Sequence, residues 1–132
     1  MVSAFPGALE AVRELEARGA RLGIVTSKLR SGALRGLAHC GFDGLFDVIV
    51  GSDDVSTHKP EPEPVIHALE RLGSRPEQAV MVGDSPHDLA SGRAAGTATA
   101  AVAWGPFPRE QLAATRPDYW LEEPAQIAAL AT

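Results

Sequence analysis

Two aspartates, Asp84 and Asp88, stand close together in the sequence. Asp84 lies within a Gly-Asp-Ser-Pro turn that follows the apolar run 79–82, and Asp88 comes two residues after this turn. The run predicts a buried strand, and a proline and a glycine, the residue types that begin and end helices, bracket Pro86–Ala95. Asp84 is then expected at the carboxyl end of the strand and Asp88 in the first helical turn. Carboxylates this close together suit Mg²⁺, which takes one or two of them and keeps several waters.

A purely structural interpretation of the same residues is equally open at this point. Asp88 could complete a capping box with Ser85, and Asp84 could be a turn former. The choice between a metal site and a helix cap depends on which other side chains reach the same edge of the fold.

Composition limits the class of protein. At 132 residues we expect one domain over 1–132, and the net charge of -5 argues against electrostatic binding to nucleic acid or a membrane surface. The single cysteine, Cys40, is expected to be a buried thiol in a reducing compartment. No signal peptide and no apolar run of membrane-spanning length is found in the sequence, so a cytoplasmic protein is expected.

Apolar periodicity and turn residues make helices and strands alternate along the chain. The predicted helices are 7–18, 31–40, 63–72, 86–95 and a last one around 125–130, and the predicted strands are 21–25, 46–50, 79–82, 97–104 and 119–121. This alternation predicts an α/β fold, in which a parallel sheet carries helices on both faces and the crossovers are right-handed.

Three polar groups follow strands of this sheet and should meet at its carboxyl edge, where open α/β folds bind ligands. They are the hydroxyls of Thr26 and Ser27, the ammonium of Lys59, and the acidic pair. A hydroxyl, an ammonium and a carboxylate-bound metal are what a transferring phosphoryl group requires. Each group also has a simpler interpretation, since hydroxyls after strands commonly cap helices and single loop lysines are commonly solvated.

Together these motifs resemble the haloacid dehalogenase-like hydrolase superfamily, in particular its phosphoglycolate phosphatase and bacterial pyrophosphatase branches. The matching residues are Phe5-Pro6-Gly7, GIVTSK at 23–28, FDVIV at 46–50 with 53–55, KPEP at 59–62, MVGDSPHD at 81–88, AAG at 94–96, and the segments 103–105 and 117–119. The resemblance implies a Rossmann-like core and Mg²⁺-dependent hydrolysis of a small phosphate ester or pyrophosphate through an aspartyl-phosphate.

The resemblance also implies roles for individual residues of this chain. Thr26 would bind the phosphoryl group, Ser27 would add a neighbouring contact, and Lys59 would stabilise the phosphoaspartate and its transition state. Asp84 would ligate Mg²⁺ directly, and Asp88 would hold the metal through water or position the loop. His58 and His87, which flank the site, are expected to be exposed and outside the catalytic set.

One departure limits these expectations. Members of the family open with a strand that ends in Asp-x-Asp-Gly, whose first aspartate is the nucleophile, and this sequence contains no such motif; the cap domain is missing as well. We therefore expect little turnover from this chain alone. In the family that strand lies mid-sheet, so its absence should either leave two facing edges or let the neighbouring strands pair. Exposed edges would favour association of copies.

Two other functions compete with a phosphohydrolase core. A non-catalytic domain that binds phosphate or a protein would explain the missing nucleophile. A phosphoacceptor receiver domain also carries an acidic pair, a hydroxyl and a lysine, but there the acids come first along the chain and the lysine last. In this sequence the hydroxyls come first, then the lysine and then the acids, and this order excludes the receiver domain.

Overall fold

The computed structural model describes residues 8–39, 41–42 and 44–130, with side chains from residue 10 onward. The helices are α1 (Ala8–Ala17), α2 (Arg30–His39), α3 (Glu63–Leu72), α4 (Pro86–Ala95) and α5 (Arg109–Ala113), with 3-10 turns at Ser52–Asp54, Pro76–Gln78 and Pro124–Leu130. The strands are β1 (Gly23–Val25), β2 (Val48–Val50), β3 (Val80–Gly83), β4 (Ala98–Val102) and β5 (Tyr119–Leu121). Cys40 lies outside the described residues, so its burial stays a prediction.

The strands form two parallel sheets, β1–β2 and β3–β4–β5. The predicted α/β class is therefore confirmed, with helices packed against both sheets. Of the two arrangements expected for a core without its central strand, direct pairing of β1 with β3 is not formed within the described part of the chain. Each of these two strands keeps one unpaired edge.

Helix α4 covers one face of the three-stranded sheet. Leu89 of α4 and Ala101 of β4 are fully buried and pack with Leu112 of α5. On the opposite face of β3, Val80 and Val82 each remain 37% exposed. This apolar surface lies along the open edge of β3, and a cavity of about 330 Å³ opens beside Val80.

Helix α3 covers the two-stranded sheet and joins it to the rest of the fold. Val48 and Val50 of β2 form a buried cluster with Ala68 of α3, against which Val25 of β1 packs. Helix α3 also packs on α4. Because α3 contacts both β1 and α4, it brings the carboxyl end of β1 close to the turn after β3.

The structure corrects several sequence-based boundaries. Helices α3 and α4 have the predicted bounds, whereas α5 was not predicted because five residues are too few to show a helical period. The C-terminal helix is a 3-10 helix. The first two strands begin two residues later than predicted, and the next two differ from their predicted ranges by one or two residues at both ends. Within the described residues, no helix is long and apolar enough to cross a membrane.

Candidate active site

Lys59 links the end of β1 to the first turn of α4 at the carboxyl edge of the sheets. Its Nζ donates to the carbonyl oxygen of Val25, the last residue of β1, at 3.0 Å and to Oδ1 of Asp88 at 2.5 Å. The side chains of Lys59 and Asp88 are only 11% and 15% exposed. The simpler interpretation of Lys59 as a solvated loop lysine is therefore wrong, because its ammonium group is mostly buried between a strand end and a helix.

The loop that carries Lys59 is anchored at the start of α3 by Glu63. Its Oε1 accepts hydrogen bonds from the backbone N–H of Ser56 at 3.0 Å and from the N–H and the hydroxyl of Thr57 at 2.5 and 2.8 Å. The hydrogen bonds from Thr57 lower the pKa of the Glu63 carboxyl, and the bond from the Thr57 backbone N–H has the larger effect.

The predicted exposure of His58 and His87 is confirmed.

The turn after β3 shows how Ser85 and Asp88 divide the roles that the capping interpretation assigned to them. Ser85 is the N-cap of α4, and its Oγ accepts from the Asp88 N–H at 3.1 Å. The Asp88 carboxylate accepts from Lys59. Ser85 is thus a helix cap, whereas the Asp88 side chain points to the site.

Asp84 follows β3 directly and lies beside Asp88. Its desolvation, together with the negative charge of Asp88, raises the pKa of Asp84 above its ordinary value. An elevated carboxyl pKa beside a second carboxylate is typical of functional sites, and a cation between the two groups would relieve their repulsion.

Two glycines leave the space that the two carboxylates occupy. A Cβ on Gly83 would lie 2.4 Å from the Asp88 Cβ, and a Cβ on Gly105 would lie 2.8 Å from the Asp84 Cβ. Neither neighbouring atom is the far end of a flexible chain, so any larger residue would displace an aspartate. The Gly105 contact was missed from the sequence, where only its place after β4 was visible.

Thr26 and Ser27 leave β1 at the same edge. The Thr26 N–H donates to Val50 O at 3.0 Å, and its Oγ1 accepts from the Lys28 N–H at 3.1 Å. A hydroxyl used as an acceptor keeps its own proton available for a ligand oxygen. Ser27 is exposed. The sequence predicted that the hydroxyls of Thr26 and Ser27 meet Lys59. The contact seen at this strand end is instead with Val25 O, a backbone acceptor that residue types alone could not reveal.

The pair Asp53-Asp54, after β2, has a structural use. Asp53 Oδ1 accepts from the Arg30 N–H at 2.9 Å at the start of α2, and Asp54 Oδ2 accepts from the Gly51 N–H at 2.8 Å. Asp53 thus binds the start of α2, which lies 23 residues away in sequence, whereas Asp54 stabilises its own turn.

The donor set at this edge fits Mg²⁺ as far as the described residues supply it. Asp84 and Asp88 offer two carboxylates, the number that Mg²⁺ usually takes from a protein. In the described ranges no group of three or more His, Cys, Asp or Glu side chains is placed to hold a metal. Because Asp88 is engaged by Lys59, Asp84 is the better direct ligand of the two.

Comparison with known proteins agrees with this architecture. "Pyrophosphatase PpaX" of Bacillus pumilus is 47% identical over 98% of this chain, which spans 60% of that protein. A haloacid dehalogenase-like family hydrolase of Streptococcus pneumoniae superposes with a TM-score of 0.84 at 30% identity, over 97% of this chain and 60% of the other. CbbY of Rhodobacter sphaeroides in complex with phosphate has a TM-score of 0.84 at 26% identity, over 95% and 56%.

The chain thus spans about 60% of the length of such relatives. The family model described as haloacid dehalogenase-like hydrolase matches residues 1–102, which is most of the sequence and includes both the Lys59 loop and the acidic turn. On this match, and on the parallel sheets that carry these groups, the chain belongs to the haloacid dehalogenase-like hydrolases.

Proposed function

We propose that this chain is the metal- and phosphate-binding part of a phosphohydrolase core that acts on pyrophosphate or a small phosphate ester. The contact that carries the proposal is Lys59 Nζ between Val25 O and Asp88 Oδ1, beside Asp84. It concentrates one cation and two carboxylates at the sheet edge where α/β folds bind ligands. The similarity to a pyrophosphatase and to a phosphate-bound relative supports the substrate class.

Each side chain has a distinct task in this proposal. The Lys59 ammonium neutralises charge on the transferring phosphoryl oxygens, and the hydroxyls of Thr26 and Ser27 donate to the remaining ones. Asp84 would ligate Mg²⁺, with Asp88 holding it through water and orienting Lys59. When bound, Mg²⁺ supplies further charge neutralisation and polarises the phosphoryl group.

The attacking group has to come from outside this sequence, which lacks an Asp-x-Asp-Gly motif. The open edges of β1 and β3, together with exposed Val80 and Val82, support the uptake of a further strand between the two sheets. We propose that 1–132 is a partial core domain and that this strand comes from a longer form of the protein or from a second copy. A cytoplasmic location stays a prediction from composition.

The second candidate is a non-catalytic domain that binds phosphate or a protein partner. The absence of the nucleophile motif from the sequence favours it. The two functions differ in whether a strand carrying Asp-x-Asp-Gly restores turnover.

The test is phosphate release by the 132-residue chain from pyrophosphate, phosphoglycolate and p-nitrophenyl phosphate, with and without Mg²⁺. We expect no turnover by the chain alone but Mg²⁺-dependent binding of pyrophosphate in calorimetry, lost in Asp84→Asn and in Lys59→Met. A peptide carrying the Asp-x-Asp-Gly strand, added in trans, should then produce turnover. Binding without restored turnover would favour the non-catalytic domain, and absence of both would contradict the proposal.

A further inference from the structure

Ser91 on α4 is fully buried, and its hydroxyl group is hydrogen-bonded to a residue outside the helix. Its Oγ donates to the carbonyl oxygen of Glu61 at 2.6 Å, across a sequence separation of 30 residues. A serine inside a helix commonly bonds a carbonyl of the preceding turn of its own helix. Here the bond instead ties α4 to the loop that precedes α3.

Ser91 and Asp88 act on the same loop from neighbouring positions. Residues three apart lie on one face of a helix, so both side chains face this loop. Asp88 accepts from the ammonium of Lys59, and Ser91 donates to the backbone of Glu61, two residues further on. Helix α4 therefore holds both the side chain of Lys59 and the backbone that carries it.

We propose that Ser91 is a positioning residue for Lys59. Its hydrogen bond fixes the loop against α4, so that the Lys59 ammonium reaches Val25 O and Asp88 together. Glu63 holds the same loop from the α3 side, whereas the bond from Ser91 holds its backbone from α4. The value of this position for catalysis depends on the proposed function, but the positioning itself depends only on contacts within the chain.

Thr97 provides a matched control for the loss of a buried hydroxyl. Thr97 is buried, as Ser91 is, and its Oγ1 donates to the carbonyl oxygen of Gly92, the residue after Ser91, at 3.1 Å. Among the described hydrogen bonds, none joins Thr97 to the Lys59 loop. Ser91→Ala and Thr97→Val thus each remove one buried hydroxyl donor. Only Ser91→Ala should affect Lys59.

The experiment compares the two variants with the unmodified 132-residue chain, free of metal. Nitrogen-15 spectra report whether the Lys59 ammonium protons are protected from water, and hydrogen exchange reports the Glu61 amide, which donates to His58 O at 2.8 Å. In Ser91→Ala we expect loss of the Lys59 ammonium signal and roughly tenfold faster exchange at Glu61. In Thr97→Val both should stay unchanged.

Unchanged Lys59 and Glu61 signals in Ser91→Ala, or equal changes in both variants, would overturn the proposal. Should Ser91→Ala not fold, Ser91→Cys, which retains a side chain but weakens the donor, takes its place. Calorimetry with pyrophosphate and Mg²⁺ forms a separate arm. If the unmodified chain binds no pyrophosphate, the proposed function fails, while the two metal-free readouts still decide the role of Ser91.

Discussion

The ammonium of Lys59 and the carboxylate of Asp88 form an ion pair at 2.5 Å across 29 residues of sequence, with both side chains mostly buried. The pair joins the loop before α3 to the first turn of α4. Since the same ammonium also contacts the end of β1, three separate segments are held by one charged group. Removing either partner would leave the other, a mostly buried charge, without its ion-pair partner.

Lys59→Met and Asp88→Asn should each lower the free energy of unfolding by about 1–3 kcal/mol, because an unpaired charge in a mostly buried position is costly. The double variant should lose less than the sum, with a coupling of about 0.5–3 kcal/mol in a double-mutant cycle. Chemical denaturation measures all four proteins. The control is Glu77→Gln, in an ion pair whose side chains are 73% and 67% exposed, which should change stability by less than about 0.5 kcal/mol. Strict additivity of the two losses would contradict the contact.

Asp84→Asn should stabilise the metal-free chain at neutral pH. The pKa of Asp84 is raised, so the folded state binds its proton more tightly than the unfolded state does, and stability falls as the pH rises through the folded pKa. Asparagine does not ionise, so the variant does not lose stability in this way as the pH rises. Because Asp84 lies at the surface and solvent screens its charge, we expect a rise in Tm of only about 1–3 °C.

The gain from Asp84→Asn should disappear in acid, below the ordinary aspartate pKa of about 3.9, where the native carboxyl is already neutral. Thermal unfolding followed by circular dichroism across pH measures the effect. Glu70→Gln, at an exposed position on α3, serves as the control and should show no such gain. A stabilisation that persists unchanged at low pH would contradict the electrostatic cause.

The sequence predicted best those elements that have a residue typical of a helix start at one end and a residue typical of a helix end at the other. Helix α4 has Pro86 at its first position and Gly96, at φ 92°, after its last, so the bounds could be read directly. The acidic pair was found because it stands in that turn. In contrast, Val25 acts through a backbone carbonyl and Ser91 through a hydroxyl that could equally have faced solvent. No residue pattern distinguishes these roles before the segments are packed together.

Gly105→Ala should weaken the proposed metal site. The added Cβ would lie 2.8 Å from the Asp84 Cβ, so that Asp84 or its loop must move. Displacing a metal-binding carboxylate in this way typically costs tenfold or more in affinity, and we expect roughly a tenfold weaker Kd for Mg²⁺ in calorimetry. In Gly32→Ala the nearest atom to the new Cβ is Arg35 Nη2 at 3.9 Å, and this control should bind as before. Equal affinities in the two variants would exclude a positioning effect of Gly105.

Glu63→Gln should destabilise the loop that carries Lys59, and the effect should depend on pH. The pKa of Glu63 is lowered by its hydrogen bonds from Thr57, so the ionised carboxylate stabilises the folded state. This contribution is fully present above the unfolded pKa of about 4.3 and is lost as the pH falls through the lower folded pKa. A glutamine at this position keeps the size of the side chain but carries no charge.

Melting temperatures of Glu63→Gln and the unmodified chain, measured from neutral pH into acid, test this expectation. The variant should melt at a lower temperature near neutrality, and the difference should shrink in acid, as the pH falls through the lowered pKa of the native carboxyl. Glu70→Gln, at an exposed position on the same helix, controls for the loss of one negative charge. A constant difference at every pH would mean that the shape of the side chain, and not its charge, anchors Ser56 and Thr57.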